Sequence, residues 1–367
     1  VQLLASLVLS IVIGFIFFYL LNTFSLQFSL IFILTLIFNP WMTPIARNSY
    51  FLVFIYFIPF LISLIFARKI NKSTKSLSVM LIVFYIIFLF KSLIGYDYLS
   101  TIVLTSMIPI VYYSLKNNLH KLILLKHLSL IVFVSILSFS TAVLVHANSL
   151  DNEKNPFEWI YYAAAKRMSS SSPEKIAYEA CFELLADKYG NFDMNELDNK
   201  DCYDEFLESL SASRLTVMSK YLLARHMIPF FGSFEISLRE SQEKELKQIY
   251  YNSNFNLVQK GQEAAFYFFN NIRDFNLFQV FSVLVNFIIS PIFFIILLIV
   301  FTFKTLKSNS KTRFFNFFIL LPPLSWFLLA KGHSYVTAYQ LTFFIWFIPT
   351  VPYIVAMVFS KDSLLNN

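Results

Sequence analysis

Lys331 and His333 stand two residues apart in the loop AKGHSY, between two strongly apolar runs. A lysine and a histidine at that spacing can meet one anion together, and an imidazole can move a proton near neutral pH. Ser334 and Tyr335 add hydroxyls to the same loop. The competing reading is a plain interfacial loop, since any short turn between spans needs polar atoms. Asp97, in GYDYLS, is a second candidate. A carboxylate close to hydrocarbon is costly unless it is paired or wetted. Lys91, six residues earlier, is its candidate partner. The alternative makes Asp97 a catalytic base or a cation-coupling group. Arg47, in NPWMTPIARNS, can grip a phosphate with two parallel N–H bonds or anchor to lipid headgroups. Trp159, followed by Tyr161 and Tyr162, offers a surface suited to a sugar or a lipid headgroup.

The elements that must position these residues are hydrophobic. Of 367 residues, 57% are apolar and 14% charged, with 45 Phe and 20 Tyr. Soluble domains carry about 25% charged residues. Apolar runs occupy 3–21, 26–38, 50–66, 79–93, 102–115, 128–145, 281–303, 314–329 and 336–359. Several approach the roughly 20 residues needed to cross hydrocarbon. The expectation is an all-α polytopic membrane protein of about nine spans. The first run lacks a basic n-region and a small-residue cleavage pattern, so it reads as a span and not as a removed signal peptide.

Charge partitions sharply. Residues 149–274 hold 20 of the 22 acids and 14 Lys or Arg, a local charge of −6. The rest of the chain carries 15 bases against Asp97 and Asp362. Those bases cluster after the third, fifth and seventh runs, in alternate loops, which is membrane-orientation chemistry and not a phosphate-reading patch for nucleic acid. The alternation places loops 39–49, 94–101 and 330–335 outside and the C-terminus inside. The expected organisation is therefore an N-terminal bundle of six spans over 1–146, an acidic helical domain over 147–278 on the outer side, and a three-span bundle over 279–360.

Within the acidic domain Ser172-Pro173-Glu174 reads as a helix start. Cys181 and Cys202 fall 21 residues apart there; they either form a disulfide in an oxidising compartment or remain two unpaired buried thiols. No spacing supports a metal site on them. The carboxylate-dense stretch 191–205 departs from the calcium-loop pattern, leaving solvated surface or loose divalent binding. His146 reads as a boundary residue, and Trp41, Trp326 and Trp346 as interfacial aromatics.

Gly totals 6, and the chain shows no phosphate-binding glycine loop, no HExxH and no nucleophile elbow. No cofactor is expected. The first reading is an outer-face membrane transferase using a polyprenyl-phosphate-linked sugar and a glycan acceptor in cell-envelope polysaccharide synthesis, in the inner membrane. Arg47 and Lys331 would hold phosphate, with Lys91, Tyr335 and Trp159 around the substrate, His333 as phosphate contact or proton carrier, and Asp97 as base. In outline the architecture resembles multi-spanning lipid-dependent glycosyltransferases. That class places a catalytic acid in its first outer loop, and loop 39–49 has none. A transporter or flippase and a non-enzymatic assembly component are the alternatives.

Overall fold

The computed structural model describes residues 2–38, 52–70, 73–96, 98–149, 291–329 and 349–360. Every regular element among them is a helix: α1 (Gln2–Leu21), α2 (Leu26–Ile37), α3 (Phe54–Phe66), α4 (Thr74–Ile94), α5 (Leu99–Lys116), α6 (Lys121–Ser149), α7 (Pro291–Lys307), α8 (Ser310–Phe318), α9 (Leu321–Leu329) and α10 (Thr350–Phe359). Four of these are long and apolar enough to cross a membrane: α1, α4, α5 and α6. At 29 residues α6 is about 44 Å long, more than the hydrocarbon core requires. The chain is a membrane-embedded helical protein. The acidic segment 150–290 lies outside the described residues.

The helices are apolar on both sides, yet each side is distinct. On α4, Met80, Phe84 and Phe88 are fully buried, whereas Val79, Ile82, Ile86 and Phe90 face outward on the opposite stripe. On α1, Leu9, Val12, Ile16 and Leu20 point inward, and Leu7, Ile11, Phe15 and Phe18 outward. Outward apolar rows of this length suit lipid and not water. Beyond His127 and Ile131, the inward row of α6 is small: Ser135, Ser138, Ala142 and Ala147. Small side chains let backbones approach in a bilayer, where packing and hydrogen bonds replace the hydrophobic drive between helices. Ser138 donates to the Tyr85 carbonyl of α4 at 3.1 Å, and the Tyr85 and Thr141 hydroxyls pair at 3.1 Å.

The central element is α5. Thirteen of its residues are buried, and it packs against α3, α4, α6, α8 and α9. A helix covered on all sides has no polar face to show, which is why its sequence carries so little amphipathic signal. Around it, α1 packs on α2 and α3, α2 on α10, and α7 on α8 and α10.

The eighth apolar run reads as one span over 314–329, but the structure breaks it into α8 and α9 at Ile319 and Leu320. Pro322 and Pro323 have no N–H, so a continuous helix would leave the Phe318 and Ile319 carbonyls without their usual donors. Thr350 on α10 supplies one replacement, donating from Oγ1 to the Ile319 carbonyl at 2.7 Å. Buried backbone acceptors in a membrane need such partners. Thr350→Val therefore costs about 1–3 kcal/mol, read as lost resistance to denaturing detergent, with Thr350→Ser close to wild type.

Candidate functional site at the aromatic end

Contacts sort the helix ends into two groups. At one end Arg68 touches the α1–α2 turn and the last turn of α5, Gln27 donates to the Phe359 carbonyl, Lys304 reaches Met357 and Val358, and Lys311 bonds Asn118. Those contacts gather the C-terminal ends of α1, α3, α5, α7 and α10. Ten of the eleven described Lys and Arg belong to this basic end: Arg68, Lys69, Lys75, Lys116, Lys121, Lys126, Lys304, Lys307, Lys311 and Arg313. The described residues include no Asp or Glu. Several of the cations complete helix termini: Lys304 donates to two carbonyls closing α10, and Arg313 to the Leu306 and Ser308 carbonyls after α7.

The eleventh base is Lys91, at the opposite end. It continues the inward stripe of α4, three residues after Phe88 and seven after Phe84, and only 4% of its surface is exposed. Its Nζ donates to the Gly95 carbonyl at 2.7 Å and lies 5.5 Å from the centre of the Tyr56 ring. A buried ammonium is expensive, and three features lower that cost here. The α4 C-terminus presents the negative end of its dipole, the Gly95 carbonyl accepts a charged donor, and the Tyr56 π face attracts the cation.

An aromatic ladder extends from this cation. Tyr56 of α3 packs on Tyr98 at 5.9 Å, and Tyr98 packs on Trp326 of α9 at 4.2 Å. All three rings are buried. Tyr98 takes φ 63° and Leu52, just before α3, φ 41°. Left-handed backbone at two bulky residues stores strain, and such strain concentrates at functional positions. Below the ladder Thr101 donates to the Pro322 carbonyl at 3.2 Å and the Ser325 hydroxyl donates to Ser100 at 3.1 Å, fixing α9 to the start of α5.

Tyr96 is held on the other side. Its hydroxyl lies 2.5 Å from His146 Nδ1, and His146 Nε2 lies 3.2 Å from the Leu93 carbonyl. A carbonyl can only accept, so Nε2 carries the proton and Nδ1 accepts from the tyrosine. Burial raises the Tyr96 phenol above its ordinary value, which favours this donating form. The boundary histidine of the sequence is thus a clamp that joins the α6 end to the α4–α5 junction.

Among the candidate residues, Lys91 is the one the structure describes. Arg47, Asp97, Trp159, Cys181, Cys202, Lys331, His333 and Tyr335 lie outside the described residues, as does any Lys91–Asp97 pairing. Their described chain neighbours are informative. Leu52 and α3 follow the stretch containing Arg47, Tyr96 and Tyr98 flank Asp97, α6 ends where the acidic segment begins, and α9 ends two residues before Lys331. Tyr56 of α3 contacts Lys91 directly, α9 joins through the Tyr98–Trp326 pair, and the α6 end is tied by His146 to Tyr96 and Leu93 of the same α4–α5 junction. A cation under aromatic rings can hold an anionic group while the rings cover an apolar or sugar face. The sequence held two hints of this cluster, Tyr56 and Trp326, but nothing in their spacing joined them.

A second polar centre sits at the basic end. Arg68 Nε donates to the Tyr113 hydroxyl at 2.9 Å, and Nη2 to the Asn22 carbonyl at 3.0 Å and to Thr23 Oγ1 at 3.2 Å. Thr23 and Tyr113 bond each other at 2.8 Å. This ties the α1–α2 turn to α3 and α5, and it gives Arg68 an architectural task besides its charge.

Comparison of the chain with known protein families, with curated proteins and with solved structures finds no match in any of them.

Proposed function

We propose that this chain is a membrane-embedded transferase whose chemistry takes place at the aromatic end, on a polyprenyl-phosphate-linked sugar, with a glycan of the cell envelope as acceptor. The observation that supports it is the convergence just described. The elements leading into Arg47, Asp97 and Lys331 border one buried cation or its aromatic ladder, and the α6 end that leads into the acidic segment is tied to the same α4–α5 junction. In this reading Lys91, Arg47 and Lys331 neutralise phosphate charge, the aromatic rings and Trp159 cover the saccharide, and Asp97 takes the acceptor proton. His333 moves a proton or contacts phosphate, and Tyr335 lines the same loop.

The orientation follows from the charge. The basic end faces the cytoplasm by the positive-inside rule, and segment 147–278 faces outward above the aromatic end. A membrane-impermeant thiol reagent on intact cells, in a background lacking Cys181 and Cys202, is expected to label Asn195→Cys and to spare Lys75→Cys. Labelling of position 75 alone would invert the assignment.

Alanine substitutions at Arg47, Asp97, Lys331 and His333 test the activity itself. Incorporation of labelled lipid-linked sugar into envelope glycan is expected to fall about 10²–10⁴-fold for Asp97→Ala, the range of one lost general base. Full incorporation by all four variants at normal abundance would sink the transferase reading. The transporter alternative draws on one observation, the interrupted α8–α9 pair, because broken helices often line transport paths. Accumulation of unflipped lipid-linked sugar on the cytoplasmic side would favour it.

A further inference from the structure

The basic end carries a crevice that the proposed chemistry does not use. It runs between α2, α3, α5, α8 and α10, with about 400 Å³ of space unfilled by atoms, its open mouth included. Phe28 and Phe32 of α2, Phe60 of α3, Ile108 of α5 and Phe315 of α8 form its deeper walls. Thr23, Tyr112 and Tyr113 form its rim. From Phe28 to Phe32 the wall extends about 6 Å along the α2 axis, and Phe24 continues it in the α1–α2 turn. The hydroxyls that could wet it are engaged elsewhere. Those of Thr23 and Tyr113 bond each other and Arg68, and Tyr353 donates to Asn316 Oδ1 at 2.6 Å. Water inside would find few hydrogen-bond partners, so an apolar occupant fits the walls better.

Cations stand over the mouth. The Arg68 guanidinium lies 5.1 Å from the centre of the Tyr113 ring, and Lys116 Nζ lies 5.8 Å from that of Tyr112. Both side chains are exposed. Arg68 uses Nε and Nη2 to fix itself on the rim; Nη1 has no partner among the described residues. A guanidinium held in one orientation with a free edge is prepared for a phosphate oxygen. No described residue supplies a carboxylate to neutralise this end.

We propose that the crevice binds an anionic phospholipid of the leaflet at the basic end, with the headgroup phosphate on Arg68 and Lys116 and one acyl chain between the α2 and α5 walls. The apolar slot, the oriented guanidinium and the excess positive charge each match one part of such a lipid. The site is independent of the aromatic end, so its failure leaves the transferase reading standing, and the reverse also holds.

The test uses the full chain in nanodiscs containing either phosphatidylglycerol or phosphatidylcholine, each with a photoreactive diazirine on one acyl chain. Peptides containing Phe28 and Tyr112 are expected to take the phosphatidylglycerol label about 25-fold more than the phosphatidylcholine label, since each of the two basic residues contributes about a fivefold preference. Lys116→Gln touches only a ring and should keep the fold. It is expected to reduce the preference several-fold, whereas Lys75→Gln, an exposed cation at the same end but off the crevice, leaves it unchanged. Arg68→Gln reduces the preference at least as far as Lys116→Gln, and the double variant Arg68→Gln, Lys116→Gln removes it. Equal labelling by the two lipids, label confined to peptides away from the crevice, or an equal effect of Lys75→Gln and Lys116→Gln would each overturn the proposal. So would displacement of the label by excess inorganic phosphate, which would indicate an ion site without a chain.

Discussion

Phe84→Ala weakens the folded protein by about 3 kcal/mol, and Ile82→Ala, two residues away, changes it by less than about 0.5 kcal/mol. The two residues share one helix and one composition, so the difference comes from what each faces. Phe84 is fully buried and stacks on Phe88 at 5.3 Å, while Ile82 is 61% exposed on the outward row. Lipid is as apolar as the protein interior, so moving Phe84 from one to the other gains little. What its truncation removes is packing: the ring leaves a void between α4 and its neighbours, and the lining atoms lose their contacts. Ile82 loses contacts that lipid chains can remake. Titration with a denaturing detergent, read by helix content, checks both variants. Equal losses would show that the inward stripe of α4 is assigned to the wrong face.

That pair also shows why the bundle was only partly legible. The existence of the helices follows from run length and from loops such as ARKINKSTK, where Arg68 and Lys69 come just after α3 and Ser73 caps α4 by accepting from the Ser76 N–H. Which face of α4 or α1 turns inward did not follow, because both faces are equally oily and hydropathy cannot separate lipid from protein. The clue that remained was size and polarity on α6. Ser135, Ser138 and Ala142 recur at helical spacing among large residues, and that row is the buried one. The break at Ile319 was legible in Pro322 and Pro323 but was absorbed into one long apolar run.

The site divided in the same way. Alternating basic loops predicted that Arg68, Lys116 and Lys304 would share one end, and their contacts bring them there. Residue type also singled out Lys91. The aromatic ladder around it was not legible, because Tyr56, Tyr98 and Trp326 come from three helices separated by up to 270 positions. Long-range packing of this kind has no periodic signature, and in a chain with 20 Tyr and 45 Phe no single ring stands out. His146 stands at the α6 boundary as its position implies, but its partners, Tyr96 and Leu93, lie some 50 positions away and have no signature in the sequence.

Lys91→Met is expected to lower incorporation of lipid-linked sugar by about 10²-fold or more while leaving the amount of folded protein unchanged or higher. The two halves of that expectation have separate causes. Methionine matches the length of the lysine stem and fills the space beside Tyr56 without a charge to desolvate. Replacing a buried cation by an apolar side chain of similar shape is often neutral or stabilising. A buried ammonium held on the Gly95 carbonyl and the Tyr56 ring, beside a left-handed Tyr98, is a combination that points to a task. On the transferase reading proposed above, that task is the charge, without which the phosphate of a lipid-linked sugar would lie against aromatic carbon. Lys91→Arg separates charge from shape: it keeps the cation, disturbs the packing, and is expected to retain part of the activity. Full incorporation by Lys91→Met would remove Lys91 from the phosphate role. Loss of the folded protein in Lys91→Met would instead make the ammonium a structural member that holds Gly95 and the α4–α5 junction in place.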